Sequence, residues 1–235
     1  MGAQWKQKHR TAAADAKGRL FGKLAKEIAI AARGGADPDN NAALRMAIDA
    51  ARKLSMPRET LARAIKKGAG LTDEQVNYEL VTYEGFAPHQ VAVIVECLTE
   101  NKNRTASNIR VLFDKGKGQL GAQGSVSWDF SRRGLVVAGP PEAGEDPEEA
   151  AIEVGADDVQ PGDEGATNFV TAPADLASVT EALTQRGWTP EVSKLVWLPS
   201  NPKQLAGDAL ADVEAFLGGL DDDDDVQSIY PALGE

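Results

Sequence analysis

The chain has 235 residues, 42% hydrophobic and 26% charged, with a formal net charge of −11, a composition typical of a soluble globular protein. No apolar run approaches the roughly 20 residues that a membrane helix needs, and the N-terminus lacks the apolar segment of a secretory signal. Cys97 is the single cysteine, which excludes an intramolecular disulfide and a multi-cysteine zinc site. The sequence therefore predicts a cytoplasmic protein without membrane contact.

Residues 1–75 are predicted to form a basic bundle of three helices. The apolar residues recur at helical spacing, and glycine or proline separates one segment from the next. The helices are expected at about 11–33, 40–54 and 57–67. Lys17, Lys23 and Lys26 lie off the apolar stripe of the first helix. We therefore expect these three side chains to face solvent or a ligand.

A second, split domain of mixed type is predicted over 76–133 and 200–235, because the apolar period changes near residue 78. Strands are expected at Val81–Glu84, Val91–Leu98, Ser125–Phe130 and 226–230. Helices are expected over about 104–115, capped by Asn103, and near 205–217. The last helix and the last strand are expected to complete the sheet that the earlier strands begin.

The segment 134–199 is predicted to be an inserted domain. Its elements alternate as strand, helix, strand, strand, helix and strand, which is the order of a ferredoxin-like unit. The predicted fold class is therefore α+β. It consists of an N-terminal three-helix bundle followed by two α/β units, the last ferredoxin-like and inserted in the middle one.

Charge is segregated along the chain. Residues 1–72 hold 15 Lys+Arg against 6 Asp+Glu, a net of +9, whereas residues 73–235 hold 10 against 30, a net of −20. A cationic segment of this kind indicates a surface that meets phosphate, and the acidic remainder would repel the same polyanion. The candidate nucleic-acid-binding side chains are Lys6, Lys8, His9, Arg10, Lys17, Arg19, Lys23, Lys26, Arg52, Lys53, Arg58, Arg63, Lys66 and Lys67.

The sequence contains no convincing catalytic, metal or cofactor motif. Gly116, Gly118 and Gly121 form a G-x-G-x-x-G, but a helix precedes it and a strand follows, the reverse of the dinucleotide fingerprint. An ordinary loop is therefore predicted there. His9 and His89 are the only histidines and lie on separate predicted domains. We expect a protein that is not an enzyme and that needs neither a cofactor nor a metal.

The acidic run Asp221–Asp225 lacks the spacing and the central glycine of a calcium loop. It is interpreted as a solvated loop before the last strand. Repulsion of nucleic acid and docking to a basic partner are the alternatives.

Blocks of sequence in one order resemble the YebC/PmpR family over most of the chain, less so between about 139 and 200. The blocks are Trp5…Lys8-His9-Arg10, Asp15-Ala16-Lys17, Lys26-Glu27-Ile28, Met56-Pro57, 64–68, 83–86, 95–99, Asn103-Arg104-Thr105 and 124–128. The resemblance implies a three-domain, non-enzymatic, cytoplasmic protein. The superfamily also includes a mitochondrial translational activator of cytochrome oxidase.

Two roles follow from the resemblance. The first is a DNA-binding transcriptional regulator that uses the basic helical domain. The alternative is a ribosome-associated translation factor that binds ribosomal RNA and aids synthesis of proline-rich stretches. The opening Gly2–Trp5 departs from the Gly-His-Ser-Lys-Trp common in the family and is closer to PmpR-like members, which favours the transcriptional role. The sequence leaves homodimerisation open.

Overall fold

The structure is a computed structural model and describes residues 13–72, 77–142 and 144–234, with side chains from residue 17 onward. The helices are α1 (Ala13–Ala32), α2 (Ala42–Lys53), α3 (Arg58–Gly68), α4 (Lys102–Lys115), α5 (Pro147–Val154), α6 (Leu176–Gln185) and α7 (Gly207–Asp221). The strands are β1 (Glu79–Ala87), β2 (Val91–Thr99), β3 (Gln119–Leu120), β4 (Phe130–Gly139), β5 (Asp158–Pro161), β6 (Thr167–Thr171), β7 (Thr189–Pro199) and β8 (Val226–Pro231). The chain divides into two compact units, 1–131 with 199–235, and 132–198.

Helices α1, α2 and α3 form the predicted bundle. Ile28 of α1 packs with Leu44 and Ile48 of α2 and with Ala64 of α3, and all four side chains are buried. Asn41 begins α2 by accepting a hydrogen bond from the Leu44 amide, and its own amide group donates to the Ala31 and Gly35 carbonyls. The end of α1 is thereby joined to the start of α2.

The same compact unit contains an antiparallel sheet with strand order β3-β1-β2-β8. Strand β2 is buried along its whole length, and α4 and α7 pack on the face that carries Val91, Val93, Val95 and Cys97. Phe113 of α4 and Phe216 of α7 meet edge to face, with ring centroids 5.1 Å apart. The C-terminal helix and strand thus complete the sheet begun by β1 and β2, as the sequence predicts.

The second compact unit contains a separate antiparallel sheet with strand order β5-β6-β4-β7. Numbered within the unit, this order is 2-3-1-4, the arrangement of a ferredoxin-like fold. Phe169 of β6 and Trp188 form the centre of its core with Leu183 of α6, and the two aromatic rings meet edge to face at 5.0 Å. The predicted fold class, α+β with a helical bundle and two α/β units, is confirmed.

Two local predictions are wrong. The cap of α4 is Asn101, whose side chain accepts from the Arg104 amide, rather than Asn103. The alternating segment Ser125–Phe130 is a tight turn with a 3₁₀ helix at Ser127–Asp129, and β4 begins only at Phe130. The turn forms because backbone amides of this segment point at the carboxylate of Glu84 instead of a neighbouring strand.

Candidate nucleic-acid interface

Apart from Lys17, Arg52, Lys53 and Lys67, the predicted basic side chains fall into three groups. Lys6, Lys8, His9 and Arg10 lie outside the described residues, and their predicted role remains a prediction. A second group on α1 contacts the acidic run, and a third group lies around α3.

Arg19, Lys23 and Lys26 of α1 form ion pairs with the acidic run. The Arg19 guanidinium lies 2.7 Å from Asp222 Oδ1, and the Lys23 ammonium lies 3.0 Å from Asp221 Oδ1. Lys23 is only 8% exposed, so the expectation that it faces solvent or a ligand is wrong. The helical pattern misplaces it because the end of α7 and the loop after it lie against this side of α1, where Lys23 contacts Asp221 and Arg19 contacts Asp222.

The Lys26 ammonium uses its three protons within the protein. It donates to the Leu98 carbonyl at 2.9 Å, to the Asp224 carbonyl at 2.7 Å and to Asp225 Oδ1 at 2.8 Å. An ammonium group has three donors, so none is left over for a phosphate oxygen in this conformation. Lys26 therefore joins the bundle to β2 and to the loop after α7.

Asp225 is the centre of this network and is 4% exposed. Its carboxylate accepts hydrogen bonds from Lys26, from Arg104 and from the Thr105 hydroxyl. The interpretation of the acidic run as a solvated loop is therefore wrong at this position. Burial alone would raise the pKa of Asp225, but these hydrogen bonds outweigh burial and hold the pKa below its ordinary value.

Acidification is expected to destabilise the fold through Asp225. Because the pKa of Asp225 is lowered by folding, its stabilisation is present above the unfolded pKa of about 4 and is lost as the pH falls through the folded pKa. Urea unfolding should therefore give a free energy of unfolding that drops most steeply below about pH 4. Asp225→Asn should flatten this dependence and Asp224→Asn should retain it, whereas identical profiles would contradict the assignment.

The third group lies around α3 and remains accessible. Arg58, Arg63 and Lys66 are exposed, and none of them forms an ion pair or side-chain hydrogen bond with any of the described residues. Arg63 and Lys66 lie three residues apart and so share one face of the helix, with Glu59 as the one acidic side chain of its first turn. The cations of this face are therefore available to a ligand, whereas Arg19, Lys23 and Lys26 of α1 are paired with aspartates.

The start of α3 adds to its attraction for anions. Pro57 precedes the helix and provides no side-chain cap, so the first backbone amides have no side-chain acceptor. The positive end of the helix dipole lies at the same place as Arg58. Both effects favour a phosphate near the first turn of α3.

The remaining predicted cations differ in their contacts with other side chains of the protein. Lys17 is exposed and its ammonium lies 5.5 Å from the centre of the Phe21 ring. Arg52 pairs with Asp49 at 3.2 Å, and both side chains are largely exposed. Lys53 is exposed. The Lys67 ammonium lies 3.9 Å from the Glu100 carboxylate and 6.0 Å from the centre of the Tyr78 ring.

An open groove of about 1290 Å³ lies between α1 and α3. Its charged lining is mixed, with Arg63 and Lys67 on the α3 side and the Arg19–Asp222 pair on the α1 side. Burial and the Glu100 carboxylate raise the pKa of Tyr78, at one end of the groove, to about 12, so the phenol stays neutral. Net positive charge is therefore concentrated on the α3 side.

The G-x-G-x-x-G segment follows the end of α4 and contains the short strand β3, so the predicted loop is confirmed only around Gly116 and Gly118. A Cβ on Gly116 would lie 2.4 Å from the Phe216 ring, and a Cβ on Gly118 would lie 2.6 Å from it. These glycines allow the loop to pack closely against α7, which explains them without a phosphate ligand.

The described residues provide no metal site and no reactive thiol. Within 13–72, 77–142 and 144–234, no group of three or more His, Cys, Asp or Glu side chains could hold a metal ion. Cys97 is buried in β2, and burial raises the pKa of its thiol, which disfavours the nucleophilic thiolate. None of the helices in the described part of the chain is long and apolar enough to cross a membrane.

Comparison with known proteins decides the family. The family model described as TACO1/YebC second and third domain matches residues 78–233, and the model for the TACO1/YebC N-terminal domain matches residues 3–71. The chain belongs to the TACO1/YebC family. This finding confirms the resemblance to YebC/PmpR proteins.

Full-length relatives agree with this membership of the TACO1/YebC family. A protein of Pseudomonas syringae pv. syringae named "Probable transcriptional regulatory protein" is 60% identical over 234 residues, 99% of each chain. One of the same description from Bdellovibrio bacteriovorus is 49% identical over 99% of this chain and 100% of its own length. The crystal structure of a conserved hypothetical protein from Aquifex aeolicus is 41% identical, with a TM-score of 0.81 over 99% of this chain and 96% of that one.

The sequence could not reveal the contacts of α1. Lys26 and Asp225 are separated by 199 positions, and only the fold brings them together. The one available signal was the presence of a basic helix and a five-residue acidic run in the same chain.

Proposed function

We propose that this TACO1/YebC-family protein is a cytoplasmic, non-enzymatic regulator of gene expression that binds DNA through the exposed cations of its N-terminal bundle. The observation that carries the proposal is the α3 face, where Arg58, Arg63 and Lys66 are exposed and unpaired among the described residues. Relatives named probable transcriptional regulatory proteins support the same class of function.

The proposed contact set is narrower than the sequence-based one. Arg58, Arg63 and Lys66 form its centre, and Lys17, Arg52, Lys53 and Lys67 of the same bundle are proposed to extend it. Arg19, Lys23 and Lys26 are assigned to holding the bundle in place, since their charges are already matched by aspartates. The three-domain division, homodimerisation and the contribution of 6–10 remain predictions.

The proposed contacts are with phosphate, which positions a protein on nucleic acid without reading its sequence. Phosphate contact alone is shared by DNA and ribosomal RNA, so the alternative of a ribosome-bound translation factor uses the same α3 face. Direct readout of sequence would need Arg, Asn or Gln side chains on one helix that enters the major groove, and Arg58 and Arg63 of α3 are candidates by position.

Crosslinking in cells, followed by identification of the attached nucleic acid, tests the proposal. We expect recovered DNA to be enriched in promoter regions. Recovery of ribosomal RNA, with co-sedimentation on ribosomes that persists after DNase treatment, would contradict the transcriptional role and support the alternative role as a translation factor. Recovery of no nucleic acid would contradict both.

A further inference from the structure

The loop that precedes β4 is held rigidly from inside the protein. Glu84 is 6% exposed, and its carboxylate accepts hydrogen bonds from the amides of Gly124 at 2.8 Å and of Val126 and Ser127 at 2.9 Å. Burial alone would raise the pKa of Glu84, but the three amides outweigh it and lower the pKa. A buried charge satisfied by three backbone amides fixes the loop in one conformation.

The far end of the same loop is fixed by the linker before α7. The Asp129 carboxylate accepts from the Asn201 side-chain amide at 2.6 Å, and the Asp129 carbonyl accepts from the Ser200 amide at 2.8 Å. The loop is therefore preorganised at both ends, which lowers the entropy that binding to it would cost.

This rigid loop presents Trp128 to solvent. The side chain is 76% exposed, and its indole nitrogen donates to the Ser125 carbonyl at 3.0 Å. The hydrogen bond fixes the orientation of the ring while its π surface stays open. An exposed tryptophan in a fixed orientation is suited to stacking on a flat partner.

A cavity of about 270 Å³ lies beside Trp128. Its apolar lining includes Phe86, Ala92 and Val126. Its polar lining consists of Gln90, Lys203, Asn201 and the Asp129 carboxylate, which accepts a hydrogen bond from the Asn201 side-chain amide. The Lys203 ammonium donates to the His89 carbonyl at 3.1 Å and has two further protons. The site thus offers an aromatic wall, a small apolar recess and one exposed cation, together with a carboxylate that is already hydrogen-bonded to Asn201.

The surroundings of Trp128 favour a nucleobase over a protein surface. The other exposed large apolar side chains of the described residues, such as Leu71, Leu80 and Ile152, lie outside the segments 121–130 and 199–204. Protein interfaces surround an aromatic anchor with further apolar area, whereas a base needs one stacking ring and a nearby cation for its phosphate.

We propose that Trp128 and the adjacent cavity bind one unpaired base of a single-stranded nucleic acid, with Lys203 next to the adjoining phosphate. This inference rests on the proposed function, because both assume that the protein binds nucleic acid. It adds a second contact, outside the basic bundle, that a fully paired duplex does not fill because its bases are stacked on each other.

Binding of the full chain to a single-stranded RNA oligonucleotide and to a duplex of the same length tests this site. We expect Trp128→Ala to weaken single-strand binding by about 5- to 100-fold and to leave duplex binding unchanged. Trp128→Phe should retain most of the affinity, because a phenyl ring still stacks. Ile152→Ala is the matched control, since Ile152 is 80% exposed and lies in the other compact unit.

Wild-type single-strand affinity in Trp128→Ala would overturn the inference and point to a protein partner for this loop. An equal loss on both ligands would also overturn it, because the effect would not depend on unpaired bases. The proposed function is tested separately, by duplex binding of a variant in which Arg63 and Lys66 are replaced. If their replacement leaves duplex binding intact, that proposal fails while the effect of Trp128 on single strands is still measured.

Discussion

Replacing Arg63 and Lys66 together by glutamine is expected to weaken binding to nucleic acid by about 10- to 100-fold near 0.1 M salt. Each neutralised phosphate contact releases roughly one counterion, so the slope of log affinity against log salt should become shallower by about two. Both side chains are exposed and have no side-chain partner among the described residues, so the fold should be unaffected. Fluorescence anisotropy with a labelled DNA duplex, measured between 50 and 200 mM salt, gives both quantities.

The matched control is Arg110→Gln with Lys194→Gln. It removes the same charge from two other exposed positions, one on α4 and one on β7, both outside the bundle. We expect this variant to bind nearly as the wild type does. An equal loss of affinity in the two variants would mean that binding depends on overall charge rather than on the α3 face.

Asp225→Asn is expected to lower the free energy of unfolding by about 3 kcal/mol at neutral pH. The substitution removes the charge that matches Lys26, which is largely buried, and it weakens the hydrogen bonds from Arg104 and Thr105. Breaking one side of a buried ion pair leaves an uncompensated charge, which is more destabilising than loss of a surface pair. Urea unfolding followed by circular dichroism measures the difference.

Asp224→Asn serves as the control for this prediction. Asp224 is the preceding residue in the same acidic run, is exposed, and contacts Lys26 only through its backbone carbonyl. The control should change stability by less than about 0.5 kcal/mol. If the two variants are equally stable, the network around Asp225 does not hold the bundle in place.

The elements were predictable because their signals are local. Apolar spacing and glycine stops gave the three helices of the bundle within one or two residues of α1, α2 and α3. The alternation of helical and strand periods in 134–199 predicted the ferredoxin-like order that the second sheet adopts. Packing of these elements follows from which face is apolar, and that face can be read from the sequence.

The loop before β4 was mispredicted because the residue that holds it in place is distant in sequence. Val126, Trp128 and Phe130 alternate as in a half-buried strand, but only Val126 and Phe130 are buried. The carboxylate of Glu84, about 40 positions earlier, accepts hydrogen bonds from backbone amides that in a strand would donate to a neighbouring strand. Periodicity does not report such a long-range acceptor.

The division of the basic residues was also beyond the sequence. The sequence does not distinguish the pair Lys23 and Lys26 from the pair Arg63 and Lys66, because all four are cations in one basic segment. In the structure, Lys23 and Lys26 contact aspartates about 200 positions away. Cation counts therefore overestimate the phosphate-binding surface wherever the chain also provides the counter-charge. The acidic run is the part of this chain that does so.

Amine-reactive labelling of lysines, read by mass spectrometry with and without nucleic acid, tests the central claim most directly. The structure predicts that Lys66 is labelled readily in the free protein and is protected when nucleic acid binds. Lys23 and Lys26 should react slowly in both states, because their ammonium groups are held by Asp221 and Asp225. Unchanged labelling of Lys66, together with rapid labelling of Lys23 and Lys26 that nucleic acid suppresses, would show that α1 rather than α3 forms the interface.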